Sequence, residues 1–258
     1  AMRECADRNL APAMTRLSDP GKTQLSFAFK KVATPLKQRI SQVVTWYISK
    51  VKKFDLQKSC IMLNIFEGNK KDHARVKKAV TRIYKKHGAV SLGKGPGESF
   101  SEAKFDFPYI RDYLLDRNVF GDVSDTSTSW SNLLPLYNKV MESVKASMLK
   151  YGDLGFRGCH ISHTYHTGAS LYFTFSVLEN PEYGLQHYLA IKKSLEDTFM
   201  QNGGTLSHHH AVGYEHLPWI EQDISAVGIG AVSALKNALD PIGIMNPGKI
   251  IPSDNVWA

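Results

Sequence analysis

Three times along this chain a helical periodicity is stopped by a glycine, at Gly88, Gly152 and Gly203, and an extended segment follows. A helix that ends on a left-handed residue and hands over to a strand is the repeating unit of layered α+β folds. Asn69 is placed to cap the first of these helices, which is expected to run to about His87 with Val76, Val80, Ile83 and Tyr84 on one stripe. The second is expected from about Ser131 to Tyr151. Leu133, Tyr137, Val140, Val144, Met148 and Tyr151 recur there at three- and four-residue steps, and Pro135 is harmless in the first turn. Asn180-Pro181 opens the third, which stops at Asn202-Gly203-Gly204. Between them, residues 59–66 and 89–92 read as short strands, 93–98 as a glycine-rich loop, and 156–178 as two strands around His166-Thr167-Gly168. The second strand of that pair alternates, with Leu171, Phe173, Phe175 and Val177 on one face and Tyr172, Thr174 and Ser176 on the other. A last helix, about Leu217 to Leu239, carries Ile220, Ile224, Val227, Val232, Leu235 and Leu239, and the turn-rich tail 240–252 is expected to lie against the body. The fold class is α+β: a mainly antiparallel sheet covered by helices on one face, then a C-terminal helical segment.

The net charge of +8 is unevenly spread, with the excess of Lys and Arg in residues 1–100 and a net negative remainder. Lys70, Lys71, Lys77, Lys78, Lys85 and Lys86 all fall on the first helix. A solvated helical face accounts for them; an anionic membrane or substrate surface is the second reading. No motif for nucleic acid accompanies them, and nucleic acid is not an expected partner. Cys5, Cys60 and Cys159 lie far apart without a CxxC pair, which excludes a disulfide scaffold or zinc ribbon and suggests packed thiols. No run approaches the roughly 18 apolar residues of a membrane span. Arg3, Glu4, Asp7 and Arg8 break any secretory signal, and Val256-Trp257-Ala258 is not a peroxisomal tripeptide.

Four places can carry chemistry. His208, His209 and His210 follow the glycine pair; in extended backbone His208 and His210 would point one way and His209 the other. They suit a metal, a flavin or substrate site as donors and proton carriers, or no function at all. Adjacent residues rarely converge on one tetrahedral ion and no HExxH or CxxC partner is present, so no metal site is expected. Tyr172 lies off the aromatic core face; at a reference pKa of about 10 it is a poor base unless a neighbouring positive charge lowers it. Arg111 in PYIRDYL and Arg16 in MTRLSD are guanidinium groups suited to a phosphate, or ordinary surface ion pairs.

The segment 203–225 (GGTLSHHHAVGYEHLPWIEQDIS) resembles the histidine-rich signature of alkyldihydroxyacetonephosphate synthases. APAMTRLSD (11–19), PYIRD (108–112), TSTSW (126–130) and HTYHTGASLYFTF (163–175) resemble the same family in the same order, so the likeness spans essentially the whole chain. The tail DPIGIMNPGK (240–249) is shared with FAD-linked 2-hydroxy-acid oxidases and dehydrogenases, which supply the alternative reading.

The resemblance implies the vanillyl-alcohol-oxidase type of flavoprotein with FAD as cofactor. Residues 1–206 would be its cap, or substrate, domain, and 207–258 a helical segment returning to the flavin. The N-terminal FAD-binding domain of the same enzyme would be a partner lying outside this sequence. It implies exchange of the acyl chain of acyl-dihydroxyacetone phosphate for a fatty alcohol through an adduct at flavin N5, in ether-lipid synthesis. By position, Tyr172 matches the proton acceptor and donor, His208, His209 and His210 the essential histidines, Arg111 the phosphate-holding arginine, and Arg16 a further required arginine. His208, His210 and Asn246 would approach the cofactor. A peroxisomal setting, a membrane surface and a homodimer belong to the same set of expectations.

Overall fold

The computed structural model describes residues 1–28, 35–103, 105, 107–152 and 155–251. The described residues include five strands: β1 (Met14–Ser18), β2 (Met62–Ile65), β3 (Val119–Ser129), β4 (Phe156–Thr164) and β5 (Gly168–Leu178). They form one sheet in the order β2-β1-β4-β5-β3, and every pairing is antiparallel. The helices are α1 (Met2–Asp7), α2 (Pro20–Ala28), α3 (Pro35–Trp46), α4 (Lys70–Lys86), α5 (Gly95–Ala103), α6 (Phe107–Leu115), α7 (Leu133–Leu149), α8 (Gly184–Gln201), α9 (Gly213–His216) and α10 (Ile220–Leu239). A π-helical turn, Tyr47–Val51, extends α3, and a 3₁₀ turn, Leu217–Trp219, joins α9 to α10.

The alternation in β5 decides where the core lies. Leu171, Phe173, Phe175 and Val177 are buried against Leu136, Val140, Val144 and Met148 of α7 and Ile191, Leu195 and Phe199 of α8. Each such side chain contributes about 1.5–3 kcal/mol by leaving water. Because the side-chain period of a strand is two, Tyr172 and Thr174 are turned to the other face, away from α7 and α8. Gly88, Gly152 and Gly203 all take φ near +70° to +80°, the conformation that ends their helices.

Several boundaries differ from expectation. Residues 89–92 form no strand, and α5 begins inside the glycine-rich stretch that reads as a loop. Asn180 does not cap α8; its Oδ1 accepts the Glu182 N–H in a local turn, and α8 starts at Gly184. The last helix is interrupted at Ser225, which takes φ 69°. Its expected stripe is only partly buried: Ile220 packs with Leu206 and Leu217, whereas Val227, Leu235 and Leu239 are exposed. The described part of the tail touches the body through Lys249, which lies over the Tyr214 ring, but most of its apolar residues stay in water. Ile242, Ile244 and Met245 are exposed, and Asp240 ties the turn to the end of α10 through the N–H groups of Ile244 and Met245. Cys5 and Cys159 are buried but Cys60 is exposed, so it is not a packed thiol. The lysines of α4 are all exposed, as a solvated face requires.

Candidate active site

Residues 203–210 carry the chain from the end of α8 around β3, which is an edge strand, onto the face opposite α7 and α8. Gly204 makes the crossing possible, since a Cβ there would lie 2.6 Å from Thr126 Oγ1. Thr205 then pairs with the edge: its N–H donates to Ser127 O at 3.0 Å, and its Oγ1 accepts the Ser127 N–H at 2.9 Å. Leu206 anchors the segment in the small cluster with Leu217 and Ile220, and its N–H donates to Asp223.

Beyond Leu206 the chain folds around one carboxylate. Asp125 of β3 is fully buried. Its Oδ1 accepts the Ser207 hydroxyl at 2.8 Å and the His208 N–H at 3.3 Å, and its Oδ2 accepts the His209 N–H at 3.2 Å. His209 Nδ1 is in direct contact with Oδ2, His210 Nδ1 lies 3.2 Å from Oδ1, and His208 Nδ1 lies 3.8 Å from Oδ2. The three histidines therefore do not alternate as in extended chain; they converge, because the carboxylate collects the backbone N–H groups and turns the loop. Burial opposes ionisation of Asp125, but the Ser207 hydroxyl, His210, the His208 N–H and His209 outweigh it and hold the carboxyl below its ordinary value. Burial and the neighbouring imidazoles push His208 and His210 down, against the pull of Asp125. An ionised Asp125 beside Nδ1 of His209 and His210 favours the tautomer with the proton on Nδ1, which leaves each Nε2 with a lone pair. His208 differs, since its Nε2 lies 2.8 Å from the Tyr165 hydroxyl.

Tyr172 is directly opposite Asp125 on one side and His160 on the other. Its ring lies 4.7 Å from that of His160, 5.7 Å from His209 and 5.5 Å from His210. Burial and Asp125 raise the Tyr172 phenol, and Arg16 offsets this only in part. The neighbourhood thus does not lower the phenol: at neutral pH Tyr172 keeps its proton. Arg16, on β1, is half-buried with its guanidinium 5.5 Å from the Phe100 ring, and burial lowers it.

Tyr172 and the three histidines are thus brought together, with Arg16 on the same sheet. Arg111 is not brought to this face. It lies on α6, is exposed, and forks onto Asp112 at 3.0–3.1 Å. Asn246 is exposed in a turn with φ 48°. Asp125, His160 and Lys22 are the residues that sequence reading missed. The one signal for Asp125 is its place directly before TSTSW.

A second polar cluster lies behind β3, on the helix side. Lys192 is buried, donates to Val123 O at 2.7 Å and Ser124 Oγ at 2.8 Å, and pairs with Glu215. His216 Nε2 lies 3.6 Å from Glu196 Oε1. Burial pushes the Glu196 carboxyl up to about 8, with Ser124 and Lys192 offsetting it only partly. The unfolded chain ionises this group at 4.5 while the folded chain keeps it protonated, so its effect is to lower stability as pH rises from 4.5 to 8. Each pH unit across that window costs about 1.4 kcal/mol, so the loss is on the order of a few kcal/mol. Glu196→Gln should flatten that part of the profile in urea unfolding at pH 5 and pH 8; an unchanged slope would show that Glu196 ionises normally.

The chain matches the model of the FAD linked oxidases, C-terminal domain, over residues 1–250. It is 36% identical to an alkyldihydroxyacetonephosphate synthase of Dictyostelium discoideum, over 98% of this chain and 41% of that one. The corresponding synthase of Trypanosoma brucei brucei is 34% identical over the same shares. A solved structure of alkyldihydroxyacetonephosphate synthase superposes with a TM-score of 0.71 at 30% identity, covering 95% of this chain and 40% of that chain. The chain thus spans about two fifths of the length of the curated relatives it matches.

Proposed function

From a chain that belongs to the FAD-linked oxidase family, as its C-terminal domain, we propose the substrate-side part of an alkyldihydroxyacetonephosphate synthase. The reaction exchanges the acyl chain of acyl-dihydroxyacetone phosphate for a fatty alcohol, with FAD as cofactor and an FAD-binding domain as partner. The observation that carries this reading is the face on which Tyr172 meets His209 and His210, backed by Asp125. Likeness to synthases over 98% of this chain supports it over a 2-hydroxy-acid oxidase. Residues 1–206 serve as the cap domain, and 207–258 as the segment that reaches the flavin.

The residues present fit the ring end of FAD. His209 is exposed and His208 and His210 are partly so, which lets their ring edges meet the polar rim of an isoalloxazine. When bound, FAD would supply an electron-accepting ring for the substrate carbon. The chain's own residues do the rest. Tyr172 enters as a phenol and gives or regains a proton at its hydroxyl. As the hydroxyl takes the substrate's proton it passes its own to the Nε2 lone pair of one imidazole, His209 or His210, and Asp125 stabilises the single imidazolium that results until the proton returns. Arg16 is the half-buried cation on this sheet for the substrate's negative charge; Arg111 could join it only by leaving Asp112.

The experiment supplies the FAD-loaded holoenzyme with acyl-dihydroxyacetone phosphate and a labelled fatty alcohol. The expected product is a labelled ether, with one fatty acid released per ether and no oxygen or electron acceptor consumed. Acceptor reduction with no ether formed would replace the synthase by an oxidase or dehydrogenase.

A further inference from the structure

Asp19 joins β1 to α2 and fixes how that helix begins. Its Oδ1 accepts the Lys22 N–H at 2.7 Å, which caps the helix, while Oδ2 accepts the Tyr137 hydroxyl at 3.0 Å and the Cys159 N–H at 2.8 Å. The helix start crosses β4 at Gly158, where a Cβ would stand 3.2 Å from the Lys22 nitrogen. This close crossing delivers the Lys22 side chain onto the face that carries Tyr172. Lys22 is 8% exposed. Its Nζ lies 2.8 Å from His160 Nδ1, 2.5 Å from Thr174 Oγ1 and 5.2 Å from the centre of the Tyr172 ring. No carboxylate pairs with it among the described residues, since Asp19 is committed elsewhere.

A buried ammonium without an acid partner costs stability, and such groups persist where chemistry needs them. An ammonium can only donate, so His160 must accept at Nδ1 and carry its one proton on Nε2. We propose that Lys22 is a positioning residue that fixes His160 as a neutral imidazole with its N–H on Nε2, beside Tyr172. The proposal rests on the reading of Tyr172 as proton carrier. Among the described residues nothing else bonds His160 Nε2, which leaves that N–H for the substrate or for the Tyr172 oxygen.

The order of proton affinities agrees with the geometry. Burial and Arg16 bring Lys22 down to about 7, while burial, Lys22 and Arg16 push His160 far below its ordinary value. Below about pH 7 the amine holds the proton and the imidazole stays neutral. The charged and titratable groups around His160 are Lys22 on α2, Arg16 on β1, His163 on its own strand and His209 from the loop; Tyr172 adds Asp125 and His210.

The test uses Lys22→Met, which keeps length but removes charge, with Lys22→Arg beside it. In the ¹⁵N-histidine-labelled chain, the resonance absent from His160→Gln identifies His160. Wild type should show a neutral Nε2–H ring from pH 5 to 7, below the pH at which Lys22 gives up its proton. Lys22→Met should free the tautomer, so that the Nδ1–H form of that ring appears in the ¹⁵N spectrum. In the holoenzyme, Lys22→Met should lower kcat by about 10- to 100-fold, the usual cost of losing the partner that orients a working imidazole. KM should change little, Lys22→Arg should recover part of the loss, and the melting temperature should not fall. A wild-type His160 that titrates near 6.5, or an unchanged His160 spectrum in Lys22→Met, overturns the proposal. So does wild-type turnover in Lys22→Met. Failure of the underlying reading is separable, because it appears as full activity in Tyr172→Phe whatever His160 does. If Lys22→Met fails to fold, Lys22→Leu carries the same comparison.

Discussion

Tyr172→Phe in the FAD-loaded enzyme is expected to cut turnover by about 10²- to 10⁴-fold, the usual worth of a positioned acid–base group. The ring keeps its contacts with His160, His209 and His210, so the fold should be untouched. Tyr172 is half-buried and has no hydrogen bond from its hydroxyl among the described residues, so deleting the oxygen orphans no partner. Turnover should therefore fall while the melting temperature stays within a degree or so of wild type. Because burial and Asp125 raise the phenol, wild-type turnover should gain nothing from ionisation of Tyr172 between pH 7 and 9. Wild-type turnover in a folded Tyr172→Phe would make the tyrosine structural and move the proton transfer to the imidazoles alone.

Asp125→Ala should be the most destabilising single change on this face. It leaves the Ser207 hydroxyl, two backbone N–H groups and the imidazoles of His209 and His210 without their acceptor. Removing one side of a buried charged network typically costs about 3–5 kcal/mol. The loss should appear in urea unfolding at pH 7, with faster amide exchange across 207–210 than in the helices α7 and α8. Asp125→Asn keeps the volume and should cost less, but it exchanges the anion that sets the histidine tautomers for a neutral amide. The pH profile separates the two effects. Asp125 is held below its ordinary 3.8, so its contribution is full above that pH and is lost as pH falls through the lower folded value. Wild type should therefore lose stability below about pH 4 more steeply than Asp125→Asn. An Asp125→Ala chain within about 1 kcal/mol of wild type would mean that the loop holds itself, as an ordinary surface network would.

The parts of the fold that were legible are those in which apolar residues keep one period. The alternation of β5 assigned Phe173 and Phe175 to the core and Tyr172 to the opposite face, and the stripe of α7 reads in the same way. Strand β3 was not legible, because Asp122, Ser124, Asp125, Thr126 and Ser127 look like a loop. Their burial depends on distant partners: Lys192 for Ser124, Thr205 for Thr126 and Ser127, Ser207 for Asp125. The same cause hid the convergence of the histidines. Local geometry spreads His208, His209 and His210 to two sides, and only a carboxylate 83 to 85 positions earlier gathers them. Lys22 was hidden for a different reason. A lysine in the first turn of a helix looks solvated until the crossing at Gly158 is known. The stripe of α10 failed in the opposite direction, since the break at Ser225 turns Val227, Leu235 and Leu239 outward.

Single-turnover kinetics on holoenzyme carrying Tyr172→Phe, His209→Ala and both together tests most directly whether this face acts as one catalytic unit. Groups that pass the same proton are lost together, so removing the second should cost little once the first is gone. The double variant is expected to be no more than a few-fold slower than the slower single variant, far from the product of the two separate losses. A double variant slowed by the full product of both losses would show that Tyr172 and His209 act independently, and would contradict the shared proton path.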